Sequence, residues 1–398
     1  MTKVAERDAF LVDKAKSLVP NLRARGKETD EIRRIPEATM NELKEAGLFK
    51  LLRPQIYGGY QTSMRTYSDV IVEISRGCAS TGWILSLCAI RELMVAESFT
   101  EKAHLEIFGE NEDDVLFAGV YEPRKCIARK VEGGYLIEEG FWMFCSGSLH
   151  ATWGYFGMAI TDEDGKLVDQ ALMTLPFDEL EIMDDWNTMG LRGTGSNSVK
   201  MTNVFIPDHR VVSFAEVLNG KFKSDHFRDI PLYNVALFPA LALSLGLPGL
   251  GLVKAALEFF QEVLPNRKAA HIGVEYLKDS STLHSLLAEA ALKIDTASLH
   301  YFQVADELDK WAESGKFMEP HARVKALADI GHANQVSKEA LDILMLASGS
   351  GFVYEGHPLQ RIFRDFWTLY SHRTLSPMIT KENYGRVLAG LESNALRY

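Results

Sequence analysis

The chain has 398 residues, 46% hydrophobic and 24% charged, with a net charge of −11 at pH 7. That length exceeds one small core and suits either one multi-part unit or a few domains. The acidic balance argues against a nucleic-acid partner, which needs a basic face.

Cys78, Cys88, Cys126 and Cys145 are scattered, with no Cys-x-x-Cys pair and no zinc-type ligand spacing. No metal is expected, and reduced thiols in a cytoplasmic protein are. Met1-Thr2-Lys3-Val4-Ala5-Glu6-Arg7 lacks the apolar run of a signal peptide. No uninterrupted apolar stretch of about 20 residues predicts a membrane span.

The first segment reads as helical. Pro36 stands near a helix start, the helix carries Met40, Leu43 and Ala46, and Gly47 has the place of a C-cap. Leu51-Leu52-Arg53-Pro54 and Tyr57-Gly58-Gly59 form a turn-rich break. Helical periodicity returns over 65–108. Residues 115–212 change to short apolar or alternating runs between turns, at 133–137, 154–160, 171–176 and 199–207, which predicts a small antiparallel β-domain.

Residues 235–395 are helical again. Leu283, Leu287, Ala290, Ile294, Ala297, Tyr301, Val304, Leu308 and Trp311 make one stripe of a long helix. Ala326, Ile330, Ala333, Ser337, Ala340, Leu344 and Ala347 make a small-residue face on a second; both read as bundle core. Gly246-Leu247-Pro248-Gly249-Leu250-Gly251 has the wrong spacing for a dinucleotide loop and reads as a helix start. The expected units are an N-terminal helical domain over 1–113, a central β-domain over 114–213 and a C-terminal four-helix bundle over 214–398.

Several motifs follow one another in a recognisable order. They are Tyr121-Glu122-Pro123, Gly133-Gly134-Tyr135-Leu136-Ile137, Phe144-Cys145-Ser146-Gly147, Gly190-Leu191-Arg192-Gly193-Thr194 and Val204-Phe205-Ile206-Pro207. The C-terminal run is Gly349-Ser350-Gly351-Phe352, Leu359-Gln360-Arg361 and Arg364-Asp365, followed by His372. Over nearly the whole chain this resembles the acyl-CoA dehydrogenase family, mainly helical with a central β-domain. In that family a Glu beyond the Arg-Asp is the catalytic base; here the slot holds Tyr370-Ser371-His372-Arg373.

Arg33-Arg34-Ile35-Pro36, Leu52-Arg53-Pro54-Gln55, Ala79-Ser80-Thr81-Gly82-Trp83 and Arg192-Gly193-Thr194-Gly195-Ser196-Asn197 are similar to one branch of the fold. That branch is the two-component (group D) flavin monooxygenases, which include the oxygenase component of p-hydroxyphenylacetate 3-hydroxylase and the secosteroid-phenol hydroxylase. The resemblance implies hydroxylation of a phenolic or indole-type aromatic by O2, through a C4a-hydroperoxyflavin. It implies reduced FAD or FMN supplied by a separate NAD(P)H:flavin reductase, a role in aromatic compound catabolism, and a homotetramer. It gives the catalytic roles to His372 and Ser146.

The resemblance also places Tyr121, Phe144, Ser146, Gly147, Arg267, Gly349, Gly351 and Arg361 at the cofactor. His150 and Arg192 are candidates for the substrate side. Each has a plainer reading: Ser146 as a turn serine, His372 or His150 as surface histidines, Arg192 as part of a Gly-rich turn, Arg267 as a surface cation. The chemistry suits the residue types, since such a site must be dry, wants a hydroxyl near the flavin, and wants a group titrating near neutrality, as histidine does without a large shift. Met345 stands where the dehydrogenases carry an adenine-contacting Gln, which leaves FAD and FMN both open. The rivals are a true acyl-CoA dehydrogenase, an N- or S-oxygenating monooxygenase of the same fold, and a non-catalytic helical scaffold.

Overall fold

In a computed structural model, which describes residues 3–109, 115–161, 167–269 and 273–394, helices come first. They are α1 (Lys3–Ala24), α2 (Gly26–Ile32), α3 (Glu37–Glu45), α4 (Met64–Gly77), α5 (Ala79–Ser98) and α6 (Glu101–Phe108). Pro36 precedes α3, and Gly47 ends it at φ 73°, a left-handed turn that glycine enters without a Cβ penalty. Ser63 caps α4 by accepting the Thr66 amide, which satisfies one of the first-turn donors. The boundary expected between 113 and 114 lies outside the described residues.

The strands are β1 (Phe117–Ala118), β2 (Lys125–Val131), β3 (Gly134–Trp142), β4 (Trp153–Thr161), β5 (Leu167–Pro176), β6 (Glu181–Ile182), β7 (Val199–Pro207) and β8 (Val211–Ser213). They form one sheet in the order β6-β7-β3-β2-β4-β5-β8, with β1 beside β4. The expectation of a purely antiparallel domain is corrected at two pairings, since β1 and β2 each run parallel to β4. Their own small core centres on Trp142, Phe156 and Met173.

After α7 (Phe214–Leu218) come α8 (Leu237–Val263), α9 (Ser281–Glu313), α10 (Pro320–Ser348), α11 (Pro358–Tyr370) and α12 (Pro377–Leu388). Prolines open the last three, where the missing N–H is no loss. The α9 stripe is buried as expected from Leu283 through Leu308, with Leu287 and Trp311 half-buried.

The glycine run at 246–251 does not start a helix; it lies in the middle of α8. Pro248 cannot donate to the Ser244 carbonyl, and Ser86 of α5 does so instead at 2.6 Å. The glycines let neighbours close in. A Cβ on Gly246 would sit 2.5 Å from the Tyr301 ring, and one on Gly251 2.7 Å from the Val72 carbonyl. The segments Ala79–Ser98 and Leu237–Asn266 are long and apolar enough to cross a membrane, but 100% and 89% of their apolar windows are buried as core.

Candidate active site

α5 is apolar nearly all round and buried along its whole length, and it carries Trp83 to the edge of the sheet. The Trp83 indole donates to Ser146 Oγ at 3.0 Å. Ser146 Oγ lies 2.8 Å from Ser196 Oγ, which lies 2.6 Å from Thr194 Oγ1, and Thr194 donates to the Leu191 carbonyl at 2.7 Å. A carbonyl only accepts, so making every bond in this chain fixes its direction. Ser196 donates to Thr194, and Ser146 donates to Ser196. What Ser146 then has left to offer a ligand is a lone pair rather than a proton.

The turn that presents Ser146 is held in an uncommon backbone form. Phe144 has φ 67° and Gly147 φ 82°. Left-handed geometry costs a non-glycine residue about 1–3 kcal/mol and persists only where the surroundings impose it. Here the Cys145 amide donates to Asn197 at 3.1 Å and the Gly147 amide to Thr194 at 2.9 Å. Phe144 is left 56% exposed, its ring edge-on to Trp186 at 6.0 Å.

The facing loop is fixed from α11. Leu191, itself at φ 50°, donates its amide to buried Asp365 at 2.7 Å. Burial pushes the Asp365 carboxyl up to about 6, against the pull of that amide and of Arg361. Arg364 pairs with Asp30 at 3.0 Å and donates to the Met189 carbonyl at 2.6 Å.

His372 follows α11 and its ring lies 6.1 Å from Trp83, tilted at 57°. Its Nδ1 accepts the Thr374 amide at 3.3 Å, which leaves the proton of a neutral ring on Nε2. Titration near neutrality is not what the structure gives. Desolvation of the half-buried ring pushes His372 down to about 4, so the ring is neutral at pH 7.

The other expected residues fall in several places. Half-buried Tyr121 donates to Met94 Sδ at 2.7 Å and packs edge-on against Tyr155. His150 is half-buried near Arg34, and burial, with Arg34 adding to it, lowers it to about 4. Arg192 donates to the Asp30 carbonyl at 3.1 Å and the Thr188 carbonyl at 3.4 Å, which binds it to α2 and its own loop.

Arg361 lies over Gly26 and has no ion-pair partner among the described residues. Arg267 donates to the Ser348 carbonyl and lies against Gly349, at φ 60°. A Cβ on Gly351 would meet nothing within 4 Å among the described residues.

Two groups therefore stand at opposite ends of α11, about 20 Å apart at 1.5 Å per residue. Ser146, Gly147 and His372 are at its C-terminal end, and Arg267 and Gly349 are near its N-terminal end. A flavin fits the first group on the observed features: an exposed aromatic at Phe144, a lone pair at Ser146, and an N–H at His372. The second group offers one cation, Arg267, suited to phosphate. Trp83, Ser196 and Asp365 occur in the sequence motifs, but nothing in the sequence marked them as parts of the site. Trp83 is hidden because a helix apolar on every side gives no face to single out.

Models of the acyl-CoA dehydrogenase N-terminal and C-terminal domains match residues 9–101 and 243–377. The flavin-dependent monooxygenase oxygenase subunit HsaA of Rhodococcus jostii (strain RHA1) is 32% identical over 376 residues, 94% of this chain and 97% of that one. The oxygenase component of p-hydroxyphenylacetate 3-hydroxylase from Acinetobacter baumannii is 25% identical over 390 residues, 96% of this chain and 89% of that one. Among solved structures, XiaF from Streptomyces sp. in complex with FADH2 and glycerol aligns with a TM-score of 0.92 at 30% identity, covering 100% of this chain and 99% of that one.

Proposed function

We propose, from a chain that belongs to the acyl-CoA dehydrogenase family and to its flavin-dependent monooxygenase oxygenase components, that the Ser146–Trp83–His372 site hydroxylates an aromatic ring. The enzyme is a reduced-flavin-dependent monooxygenase that takes its flavin from a separate NAD(P)H:flavin reductase. The observation that carries the reading is His372 beside the Trp83 ring, with Trp83 in turn bonded to Ser146, where a dehydrogenase would need a carboxylate base.

When bound, reduced flavin would supply the two electrons that let one atom of O2 enter the substrate while the other leaves as water. The chain's own residues prepare that chemistry. Ser146 would offer its free lone pair to the flavin, His372 would have its Nε2–H free to donate, and Trp83 with Phe144 would line the space with apolar rings. The test is to supply chemically reduced flavin, labelled oxygen gas and a panel of phenols and indoles. One labelled oxygen per product is expected. Dye reduction by an acyl-CoA, with no label in any product, would overturn the reading.

Arg267 and Gly349 are assigned to the pyrophosphate end of an FAD, reached from a neighbouring subunit. Single-chain exposure of Leu292 (66%), Leu299 (71%), Leu346 (75%) and Met378 (81%) on the bundle supports self-association, read here as a homotetramer. FMN lacks the pyrophosphate. Arg267→Ala is therefore expected to weaken reduced FAD about tenfold or more and reduced FMN far less, measured as anaerobic dissociation constants. Equal losses would remove Arg267 from the phosphates.

A further inference from the structure

Asp365 lies in the middle of α11 and is 5% exposed. The cations beside it do not pair with it. Arg364 is bonded to Asp30, Gln360 and the Met189 carbonyl, and Arg361 lies over Gly26. Among the described residues its one hydrogen-bond donor is a backbone amide, that of Leu191, at 2.7 Å. A buried carboxyl is costly to keep, and this one serves a loop rather than its own helix.

Two sides of the site meet at the Leu191 peptide. Its carbonyl accepts Thr194 Oγ1 at 2.7 Å, the Thr194 amide at 3.1 Å and the Trp186 indole at 3.0 Å. Thr194 begins the hydroxyl chain that runs through Ser196 to Ser146, and the Trp186 ring meets Phe144. The carbonyl points this way because Leu191 is held at φ 50°, a form that a leucine does not keep unaided. α11 imposes it at two adjoining positions. Gly190 packs so closely that a Cβ there would overlap the Arg364 carbonyl, and the next amide is fixed by Asp365. With that amide released, the Leu191 peptide can turn to an ordinary conformation. Thr194 then loses the acceptor that makes it donate, and the order of protons along the chain is no longer fixed.

We propose that Asp365 is a positioning residue: by holding the Leu191 amide it fixes the direction of the Thr194–Ser196–Ser146 chain, and so keeps Ser146 an acceptor toward a bound flavin. This rests on the aromatic monooxygenase reading above, which gives Ser146 that partner.

The test reads the indole N–H resonances of Trp83 and Trp186 by NMR, on the flavin-free full-length protein, in wild type, Asp365→Ala, Asp365→Asn and Thr194→Val. The two indoles report separate branches from the Leu191 carbonyl. Asp365→Ala is expected to move both. Asp365→Asn, whose amide oxygen can still accept, should leave both near wild type. Thr194→Val cuts the chain beyond Leu191 and should move Trp83 while Trp186 stays. With reduced flavin and a phenol, the ratio of product to hydrogen peroxide should fall about tenfold to 100-fold in Asp365→Ala and in Thr194→Val, and be largely restored in Asp365→Asn. The double variant should lose no more than either single one, since both break one chain. Losses that multiply would overturn the inference. So would unmoved indoles in a folded Asp365→Ala, indoles that move at an unchanged ratio, or an Asp365→Asn that moves them as far as alanine does. If Asp365→Ala does not fold, Thr194→Val decides, and a Trp83 resonance and ratio like wild type overturn the chain. A wild type that makes no aromatic product overturns the monooxygenase reading, while the indole shifts still judge the hold of Asp365 on the chain.

Discussion

His372→Ala is expected to cut aromatic product formation about 100- to 1,000-fold while oxygen is still consumed and released as hydrogen peroxide. His372 covers the Trp83 ring, and Trp83 holds Ser146. Removing the imidazole takes away the Nε2–H donor and opens the apolar wall to water. Because burial lowers His372 to about 4, the working form at pH 7 is neutral and donates from Nε2. A glutamine amide can donate from a similar place but does not titrate, so His372→Gln should recover much of the coupling that alanine loses. Recovery by glutamine assigns hydrogen bonding to His372; failure of both variants alike assigns proton transfer.

The sign of the pH dependence follows from the same shift. The folded pKa, about 4, lies below the ordinary value of 6.5. Between those values the unfolded chain binds more protons, so His372 contributes a stability loss that grows as pH falls from 6.5 toward 4 and is absent above. His372→Ala and His372→Gln should flatten that limb of the stability curve, as read by denaturation across the window. An unchanged limb in both would mean that His372 is not the desolvated neutral ring described.

The architecture was legible because its largest elements are periodic. The α9 stripe and the small-residue face of α10 follow directly from the spacing of apolar residues. The order of turns from Tyr121 to Asp365 carried the site's outline. The glycine run at 246–251 misled because Gly and Pro usually punctuate helices. Here Ser86 replaces the hydrogen bond lost at Pro248, and Tyr301 and Val72 need the missing side chains.

Such exchanges are tertiary and cannot be read from one segment. The same holds for His372, whose ring packs beside Trp83 of α5, nearly 300 positions earlier in the chain.

Arg53→Met is expected to destabilise the fold by about 3–5 kcal/mol, the usual cost of breaking a buried pair from one side. Arg53 is 1% exposed and Glu92 fully buried, joined at 2.6 and 3.1 Å, with Arg53 Nη2 also reaching the Val115 carbonyl at 3.4 Å. Burial raises Glu92 above the ordinary carboxylate value, and Arg53 is the largest influence holding it down. Without the guanidinium the folded state must keep this carboxyl protonated. Its pKa then lies further above the unfolded value of 4.5, so the folded state binds more protons and the deficit grows as pH rises through that window.

Urea midpoints at one protein concentration should therefore differ little from wild type in mild acid and most in mild alkali. The double replacement Arg53→Met/Glu92→Leu removes both charges and should recover most of the loss. A single variant as stable as wild type at both pH values would show that the pair is not what fixes this stretch of chain. The stretch matters to the chemistry because Glu92 lies on α5, the helix that carries Trp83 to Ser146. A pair that locks α5 in place thus sets the position of Trp83, and Arg53→Met should also lower the fraction of oxygen that reaches product.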